Sequence, residues 1–225
     1  MSPAWFVTGT DTGIGKTRAS CALLHALRRA GHAAVGMKPV AAGTEPGADG
    51  SRINEDVQAL REASALRVPA ELDNPVLLDA ATSPHIAARR ARRCIELAPL
   101  AAACAALRER AGAVVVEGAG GFCVPLSDTE TGADLATLLG LPVILVVGLR
   151  LGCLNHALLT QEAIAARGLR LAGWVANRID PHMQAQDENL EFLRTRLRAP
   201  MLADWPWAPG VSPRDLHIEL PAFHA

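Results

Sequence analysis

A glycine-rich run ending in Lys-Thr constrains the fold of this chain more than any other feature. It spans residues 9–17, follows the apolar residues 5–7 and precedes a stretch of helical character at 19–30. A strand, a glycine-rich loop and a helix in this order form a phosphate-binding loop, whose backbone N–H groups converge on an anion. We expect Lys16 to reach the β- and γ-phosphates of a nucleoside triphosphate and Thr17 to bind Mg²⁺. The alternative is a glycine-rich turn without a ligand.

The loop has an unusual spacing. Five residues, rather than the usual four, separate Gly9 from the Gly15 that precedes Lys16. One large group of ATPases that position partner proteins carries an additional lysine five positions before the main one. This chain has Asp11 at that position, which argues against membership of that group.

Length and composition predict a cytosolic protein of one domain rather than a membrane or nucleic-acid-binding protein. The 225 residues suit a single domain over residues 1–225. No apolar run reaches the roughly eighteen residues of a membrane span, and the first predicted strand starts too early to leave room for a signal peptide. A net charge of -1 argues against broad nucleic-acid binding. The five cysteines contain no CxxC pair, so we expect reduced and mostly buried thiols.

Apolar runs alternate with helical patterns along the chain. Strands are predicted at residues 5–8, 33–38, 113–117, 142–147 and 171–176, with a weaker one near 201–204. Helices are predicted near residues 16–30, 55–62, 97–110, 132–139, 155–167 and 185–198. Several of the strands are continuously apolar, as in parallel sheets covered on both faces. The pattern predicts a three-layer α/β/α domain of the P-loop NTPase type with a mainly parallel sheet. We expect residues 43–51 to form a mobile loop and the segment after Trp205 to be mostly irregular.

Polar side chains follow several of the predicted strands, at the sheet edge where ligands bind in such folds. Lys38 ends the second strand, Glu117 ends the third and Asn177 follows the fifth. Glu117 would be poorly solvated unless it met a cation such as Mg²⁺, although it could instead cap a turn. Lys38 could stabilise charge on a transferred phosphoryl group or be a surface lysine. Asp56 could bind the metal or, like its neighbours, cap a helix.

Two further segments have the pattern of binding loops. Residues 151–156 follow a buried strand and open a helix, where Asn155 could be the N-cap and free amides could receive a carboxylate. His85 also lies near a helix start, where a capping or hydrogen-bonded role is favoured over a catalytic one. The sequence contains no Ser-His-Asp pattern and no histidine cluster for a metal.

Taken together, these residues resemble the dethiobiotin synthetase family, which closes the ureido ring in biotin synthesis. The matching segments extend over nearly the whole chain: residues 6–12, 15–17, 38–40, 83–85, 117–121, 125–126, 151–156, 173–177 and 206–207, together with Asp56. The phosphate loop alone specifies only a nucleotide site. Lys-Pro-Val at 38–40 and Leu-Gly-Cys-Leu-Asn-His at 151–156 are far more specific.

The resemblance implies a reaction and a set of roles. 7,8-Diaminopelargonate, CO₂ and MgATP would give dethiobiotin, ADP and phosphate through a carbamate and its mixed anhydride with phosphate. It implies Mg²⁺ binding by Thr17, Asp56 and Glu117, and catalytic roles for Lys16, Lys38 and Thr12. The implied ATP-binding residues are Gly13, Ile14, Gly15, Lys16, Thr17, Arg18, Asp56, Glu117, Gly118, Ala119, Gly120, Asn177, Arg178, Pro206, Trp207 and Ala208. The implied substrate-binding residues are Lys38, Ala42, Gly152, Cys153, Leu154 and Asn155, the last four reaching the active site of a neighbouring subunit in a homodimer.

The chain departs from the family pattern at several positions. Ala42 stands where the family often has a serine, Gly13 where many members have Glu, and Arg178 where an acidic residue often follows the Asn. Asp215 is a distant candidate for the ribose contact. Two alternatives remain open at this point: an amidating ligase of corrin synthesis, which usually carries an additional glutaminase domain, and a nucleotide switch that signals to a protein partner.

Overall fold

Ten strands and eight helices are formed by the residues that this computed structural model describes, 2–47 and 50–222. The strands are β1 (Ala4–Gly9), β2 (Ala34–Met37), β3 (Val40–Ala42), β4 (Glu45–Pro46), β5 (Arg52–Ile53), β6 (Val76–Leu78), β7 (Ala113–Glu117), β8 (Val143–Leu149), β9 (Leu171–Arg178) and β10 (Met201–Trp205). The helices are α1 (Lys16–Arg29), α2 (Glu55–Ala63), α3 (Ala70–Asp73), α4 (Pro84–Arg90), α5 (Leu97–Arg110), α6 (Gly132–Leu139), α7 (Cys153–Ala166) and α8 (Gln186–Arg196), followed by a short 3₁₀ turn, Pro213–Asp215.

A six-stranded parallel sheet lies at the centre, in the order β10-β9-β8-β1-β7-β2. Every residue of β1, β7 and β8 is buried, as expected for strands covered on both faces. Two small sheets lie beside it, β3 paired with β6 and the hairpin β4–β5. The predicted three-layer fold with a mainly parallel sheet is confirmed.

Strand β1 divides its side chains between two hydrophobic cores. Trp5 and Val7 belong to the core that includes the apolar residues of α1, whereas Ala4 and Phe6 belong to the core that includes those of α5. Successive residues of a strand point to opposite faces, so one apolar run supplies both layers. The phosphate loop leaves β1 between these two layers.

Some element boundaries differ from the predictions in ways that affect the site. Strand β2 ends at Met37, so Lys38 lies just beyond it, and β9 extends through Arg178, so Asn177 lies within the strand rather than after it. Helix α7 begins at Cys153, two residues before the predicted start. The cause is Gly152, whose φ of 96° allows the chain to turn into the helix there.

Short elements were missed by the sequence analysis. Strands β3 and β6 have three residues each and helix α3 has four, too few to show a periodicity. Within the predicted loop at 43–51, β4 is formed by Glu45–Pro46, and Ala48 and Asp49 lie outside the described residues. The segment after Trp205 is mostly irregular, as predicted.

All five cysteines are free thiols, as predicted. Cys21, Cys104 and Cys153 are buried, while Cys94 and Cys123 are exposed. Among the helices of residues 2–47 and 50–222, none combines the length and apolar character needed to cross a membrane.

Helix α6 begins with a complete capping box. The Thr131 hydroxyl accepts a hydrogen bond from the Asp134 N–H, and the Asp134 carboxylate accepts bonds from the Thr131 N–H at 2.7 Å and the Thr131 hydroxyl at 2.6 Å. Arg167 forms an ion pair with the same carboxylate. The Thr131 hydroxyl and then Arg167 lower the pKa of Asp134 to about 2.

We expect Asp134→Asn to lower the free energy of unfolding by about 1 kcal/mol at neutral pH. A carboxyl group whose pKa is lower in the folded state stabilises the fold above its unfolded pKa, and this contribution is lost as the pH falls toward about 2. Urea unfolding should therefore give a constant difference between wild type and variant from pH 7 to pH 5 and a smaller one below about pH 4. Asp128→Asn is the control, since Asp128 is exposed and lies 3.6 Å from Arg89. A difference that does not shrink in acid would contradict the role of the charge.

Candidate functional site

The phosphate loop is held in its shape by glycines and by an asparagine from β9. Gly13 and Gly15 have φ values of 73° and 93°, in the left-handed region that favours glycine. A Cβ atom on Gly15 would also collide with the side-chain amide of Asn177. That amide donates a 2.8 Å hydrogen bond to the carbonyl of Ile14, so Asn177 joins the sheet to the loop. Its buried Oδ1 has no hydrogen-bond partner in the described structure.

Lys16 lies at the start of α1 as a buried cation. It is 6% exposed, and its ammonium donates a 2.9 Å hydrogen bond to the backbone carbonyl of Asp11. Burial, and then repulsion by Lys38, lower the pKa of Lys16 to about 8, although Glu117 and Asp56 act in the opposite direction. A buried ammonium of this kind is stabilised when an anion such as a triphosphate binds next to it.

Four side chains from distant parts of the sequence meet next to Lys16: Thr17, Lys38, Asp56 and Glu117, here named the lysine–carboxylate cluster. The Lys38 ammonium lies 2.8 Å from Asp56 Oδ2 and 2.6 Å from Glu117 Oε1. The Thr17 hydroxyl lies 2.6 Å from Asp56 Oδ1 and 2.8 Å from Glu117 Oε1. Each carboxylate therefore lies within hydrogen-bonding distance of both the lysine ammonium and the threonine hydroxyl.

Charge pairing outweighs burial in this cluster. Burial on its own would lower the pKa of Lys38, but Glu117 and Asp56 outweigh it and the pKa is raised. Burial on its own would raise the pKa of Asp56, but Lys38 outweighs it and the pKa is lowered. Both groups are thus charged at neutral pH. Lys38 is 4% exposed, which excludes the alternative of a surface lysine.

The oxygen atoms of the cluster suit a small hard cation. Glu117 is fully buried, and its Oε2 has no hydrogen-bond partner in the described structure. No three or more His, Cys, Asp and Glu side chains gather into a metal site within residues 2–47 and 50–222. Mg²⁺ does not need such a set, because it usually binds one or two carboxylates and takes its other ligands from phosphate and water. Two carboxylates and the Thr17 hydroxyl fit that pattern.

The helix-capping alternatives are also resolved. The Asn54 side chain caps α2 by accepting a hydrogen bond from the Val57 N–H, which leaves Asp56 for the cluster. Asn155 is not an N-cap, because α7 begins at Cys153 and its N-cap is Gly152. The His85 Nδ1 lies 2.9 Å from the Ser83 hydroxyl, in agreement with the favoured hydrogen-bonded role.

The turn after β7 packs against the phosphate loop. A Cβ atom on Gly118 would lie 2.9 Å from the Phe6 ring, and one on Gly120 would lie 3.4 Å from the Thr12 hydroxyl. Gly120 has a φ of 58° as well. Glycines at these positions let the turn at 118–120 approach the loop closely.

The residues predicted around a nucleotide base follow β10 and neighbour it in β9. Arg18 donates a 3.3 Å hydrogen bond to the carbonyl of Ala208, and Trp207 is half exposed. Arg178 extends toward the edge strand, where Asp204 holds its guanidinium at 2.9 and 3.0 Å and Asp187 lies at 2.8 Å. Its side chain is therefore committed to a structural ion-pair network.

An ion pair between Asp11 and Arg150 was missed by the sequence analysis. The Asp11 carboxylate also accepts a 2.7 Å hydrogen bond from the Thr12 N–H, and the Arg150 carbonyl accepts one of 3.0 Å from the Cys153 N–H. The pair thus connects the phosphate loop to the turn that opens α7. One feature of the sequence could have indicated this residue: Arg150 directly follows a buried strand, at the sheet edge where Lys38 and Glu117 also lie.

Comparison with known proteins identifies the family. A family model described as an AAA domain matches residues 4–215. The ATP-dependent dethiobiotin synthetase BioD of Aromatoleum aromaticum is 56% identical over 217 residues, which cover 96% of each chain. BioD of Ralstonia nicotianae is 59% identical over 204 residues, covering 91% of this chain and 89% of the relative. The chain belongs to the ATP-dependent dethiobiotin synthetase family. The resemblance stated from the motifs is confirmed.

Solved structures show that the fold of this dethiobiotin synthetase family member is shared more widely. The septum site-determining protein MinD of Pyrococcus horikoshii, complexed with Mg-ADP, matches with a TM-score of 0.57 and 18% identity, covering 93% of this chain and 83% of MinD. A ParA family ATPase of Chlorobium tepidum matches with a TM-score of 0.56 and 15% identity, covering 93% of this chain and 86% of the ATPase. At these identities the likeness concerns the fold alone.

We expect Lys38→Met to destabilise the protein by about 3–5 kcal/mol, because Glu117 would be left as a buried and poorly compensated carboxylate. The double variant Lys38→Met/Glu117→Gln should lose less stability than Lys38→Met alone, because both charges of the pair are removed. Denaturant unfolding of the two single variants and the double variant measures this coupling. Additive losses would show that the two charges do not compensate each other.

Proposed function

We propose that this chain catalyses the ring closure of 7,8-diaminopelargonate with CO₂ and MgATP to give dethiobiotin, ADP and phosphate. The observation that carries the proposal is the lysine–carboxylate cluster next to Lys16. Two buried cations and a hard-oxygen donor set lie next to the phosphate loop. Close relatives named dethiobiotin synthetase support the same reaction.

The reaction proceeds in three steps in this proposal. One amine of the substrate adds to CO₂ and releases a proton to form a carbamate. A carbamate oxygen then attacks the γ-phosphorus of ATP, so that ADP leaves and a carbamic–phosphoric anhydride remains. Finally the second amine attacks the carbonyl carbon, phosphate leaves and a second proton is released as the ring closes.

The cations of the site act on negative charge that changes position during these steps. Lys16 neutralises the β- and γ-phosphates, and Lys38 neutralises the carbamate and the transferred phosphoryl oxygens. Thr12 lies beside the same reacting groups. Mg²⁺ held by Thr17, Asp56 and Glu117 neutralises phosphate charge when it is bound. Because Lys38 is paired with two carboxylates before substrate enters, its position is set in advance.

The nucleotide pocket in this proposal extends from the phosphate loop to the segment after β10. The phosphates bind the loop amides from Gly13 to Arg18, and the turn at 118–120 covers them. The base lies near Asn177 and residues 206–208. The buried Asn177 Oδ1, which has no hydrogen-bond partner among the described residues, is an acceptor that suits the amino group of adenine.

The substrate carboxylate binds the N-terminus of α7, formed by Gly152, Cys153, Leu154 and Asn155, and the other end of the substrate reaches Ala42 and Lys38. A helix N-terminus favours an anion through its amides and its dipole, and α7 is 14 residues long. This loop serves the active site of the neighbouring subunit in a homodimer. Leu151, which directly precedes this N-terminus, is 91% exposed, and a neighbouring subunit bound at this loop would cover it.

The proposal also covers the domain organisation and the cellular compartment. Residues 1–225 act as a single domain. The five free thiols agree with a reducing compartment such as the cytoplasm.

ADP release should require diaminopelargonate and bicarbonate together and should be accompanied by dethiobiotin, measured by mass spectrometry.

Lys16→Ala should lower turnover at least about a hundredfold at saturating MgATP, because a charge partner worth about 3–5 kcal/mol in the transition state is lost. A fold measurement by circular dichroism is the control. ATP hydrolysis that ignores both co-substrates, or near wild-type turnover in the variant, would contradict the proposed reaction or the role of Lys16.

The shared active site predicts complementation between two inactive variants. In a mixed dimer of Lys38→Ala and Asn155→Ala chains, one site carries both changes and the other carries neither. Random subunit exchange should therefore restore about a quarter of the wild-type activity per chain. Unmixed parents are the controls. Mixed dimers verified by mass spectrometry that remain inactive would exclude the shared site.

A further inference from the structure

Arg18 has contacts that the reaction does not explain. It follows Thr17 in the first turn of α1, and its guanidinium donates a 3.3 Å hydrogen bond to the carbonyl of Ala208. The guanidinium also lies over the ring of Trp205, 5.8 Å from the ring centroid. One arginine thus joins the helix that carries the phosphate loop to both ends of the segment 205–208.

The segment itself is held at Trp205 by a second contact. The Trp205 indole N–H donates a 2.8 Å hydrogen bond to the carbonyl of His217, and its side chain is buried. Residues 206–208 leave this fixed point, and Trp207 is half exposed. The Arg18 hydrogen bond at Ala208 therefore holds the far end of a short irregular segment whose near end is already fixed.

The charge of Arg18 is poorly compensated. No carboxylate lies within ion-pair distance of it in the described residues. Its Nε is buried without a hydrogen-bond partner within residues 2–47 and 50–222, and burial lowers the pKa of the guanidinium.

We propose that Arg18 is a positioning residue for nucleobase binding: it fixes residues 205–208 against α1 so that they receive the base. The proposal rests on the nucleotide site of the proposed function. Arg18 acts on the base through the segment, whereas Lys16 acts on the phosphates directly. Its loss should therefore weaken the binding of nucleotide and leave the phosphoryl-transfer step nearly unchanged.

The chain offers a matched control on the same helix. Arg29 lies at the end of α1 and donates a 3.2 Å hydrogen bond to the carbonyl of Arg214, also in the irregular C-terminal part. Arg29→Met thus removes a similar contact from the same helix at a position away from residues 205–208. Arg18→Met keeps the length of the side chain but removes the cation and the donors, while Arg18→Lys keeps the cation.

The test compares MgATP with magnesium tripolyphosphate, which has the phosphates but no base. Calorimetry should show about a tenfold weaker Kd for MgATP in Arg18→Met, and less than a twofold change for tripolyphosphate. Arg18→Lys should recover part of the loss, and Arg29→Met should resemble wild type. In steady-state assays the KM for ATP should rise with kcat within about twofold. Hydrogen exchange in residues 206–211 should increase in Arg18→Met, and not in Arg29→Met.

Three results would overturn the proposal. Equal weakening of MgATP and tripolyphosphate would make Arg18 a phosphate counter-ion. Unchanged MgATP binding together with lower stability would leave it a structural residue only. A fall in kcat at unchanged KM would assign it to the chemical step. Wild-type protein that binds MgATP but forms no dethiobiotin would instead contradict the proposed function, and the binding comparison would still decide the role of Arg18.

Discussion

The buried ion pair between Lys38 and Glu117 is the interaction on which the site depends. Glu117 is fully buried at the end of a central strand, and Lys38, just beyond the edge strand beside it, is only 4% exposed. Removing two charges from water costs several kcal/mol for each ion, and the attraction between them often does no more than offset this. A well-packed apolar pair would stabilise the sheet at least as well. The charges are therefore better explained by their position next to the phosphate loop than by stability.

The sheet order makes this cluster possible. Strand β7 lies between β1 and β2, so the ends of all three strands meet at one edge. Thr17 arrives through the loop after β1, Lys38 directly after β2 and Glu117 at the end of β7, while Asp56 is brought in by the first turn of α2. Parallel strands bring their carboxyl ends to the same edge of a sheet, which is why residues 100 positions apart, Thr17 and Glu117, are hydrogen-bonded.

The same argument explains how far the sequence could predict the structure. Long apolar runs such as Val143–Leu149 mark the central strands clearly, and polar residues at their ends indicate the site. Three-residue strands carry no such pattern, so β3 and β6 were missed. The ion pair of Asp11 with Arg150 joins residues 139 positions apart, and only the folded structure shows that they meet. The start of α7 was misplaced because glycine, rather than a side-chain cap, begins that helix.

Asp11 contacts both the phosphate loop and the turn that precedes α7. Its backbone carbonyl holds the Lys16 ammonium, and its carboxylate holds Arg150 and the Thr12 N–H. Arg150 lies in the turn before α7, the helix whose N-terminus is proposed to bind the substrate carboxylate. Since that helix serves the neighbouring subunit in the proposed dimer, Asp11 would connect the phosphate loop of one active site to the carboxylate loop of the other. A lysine at this position would repel both Lys16 and Arg150. The arrangement therefore requires a residue 11 that carries no positive charge.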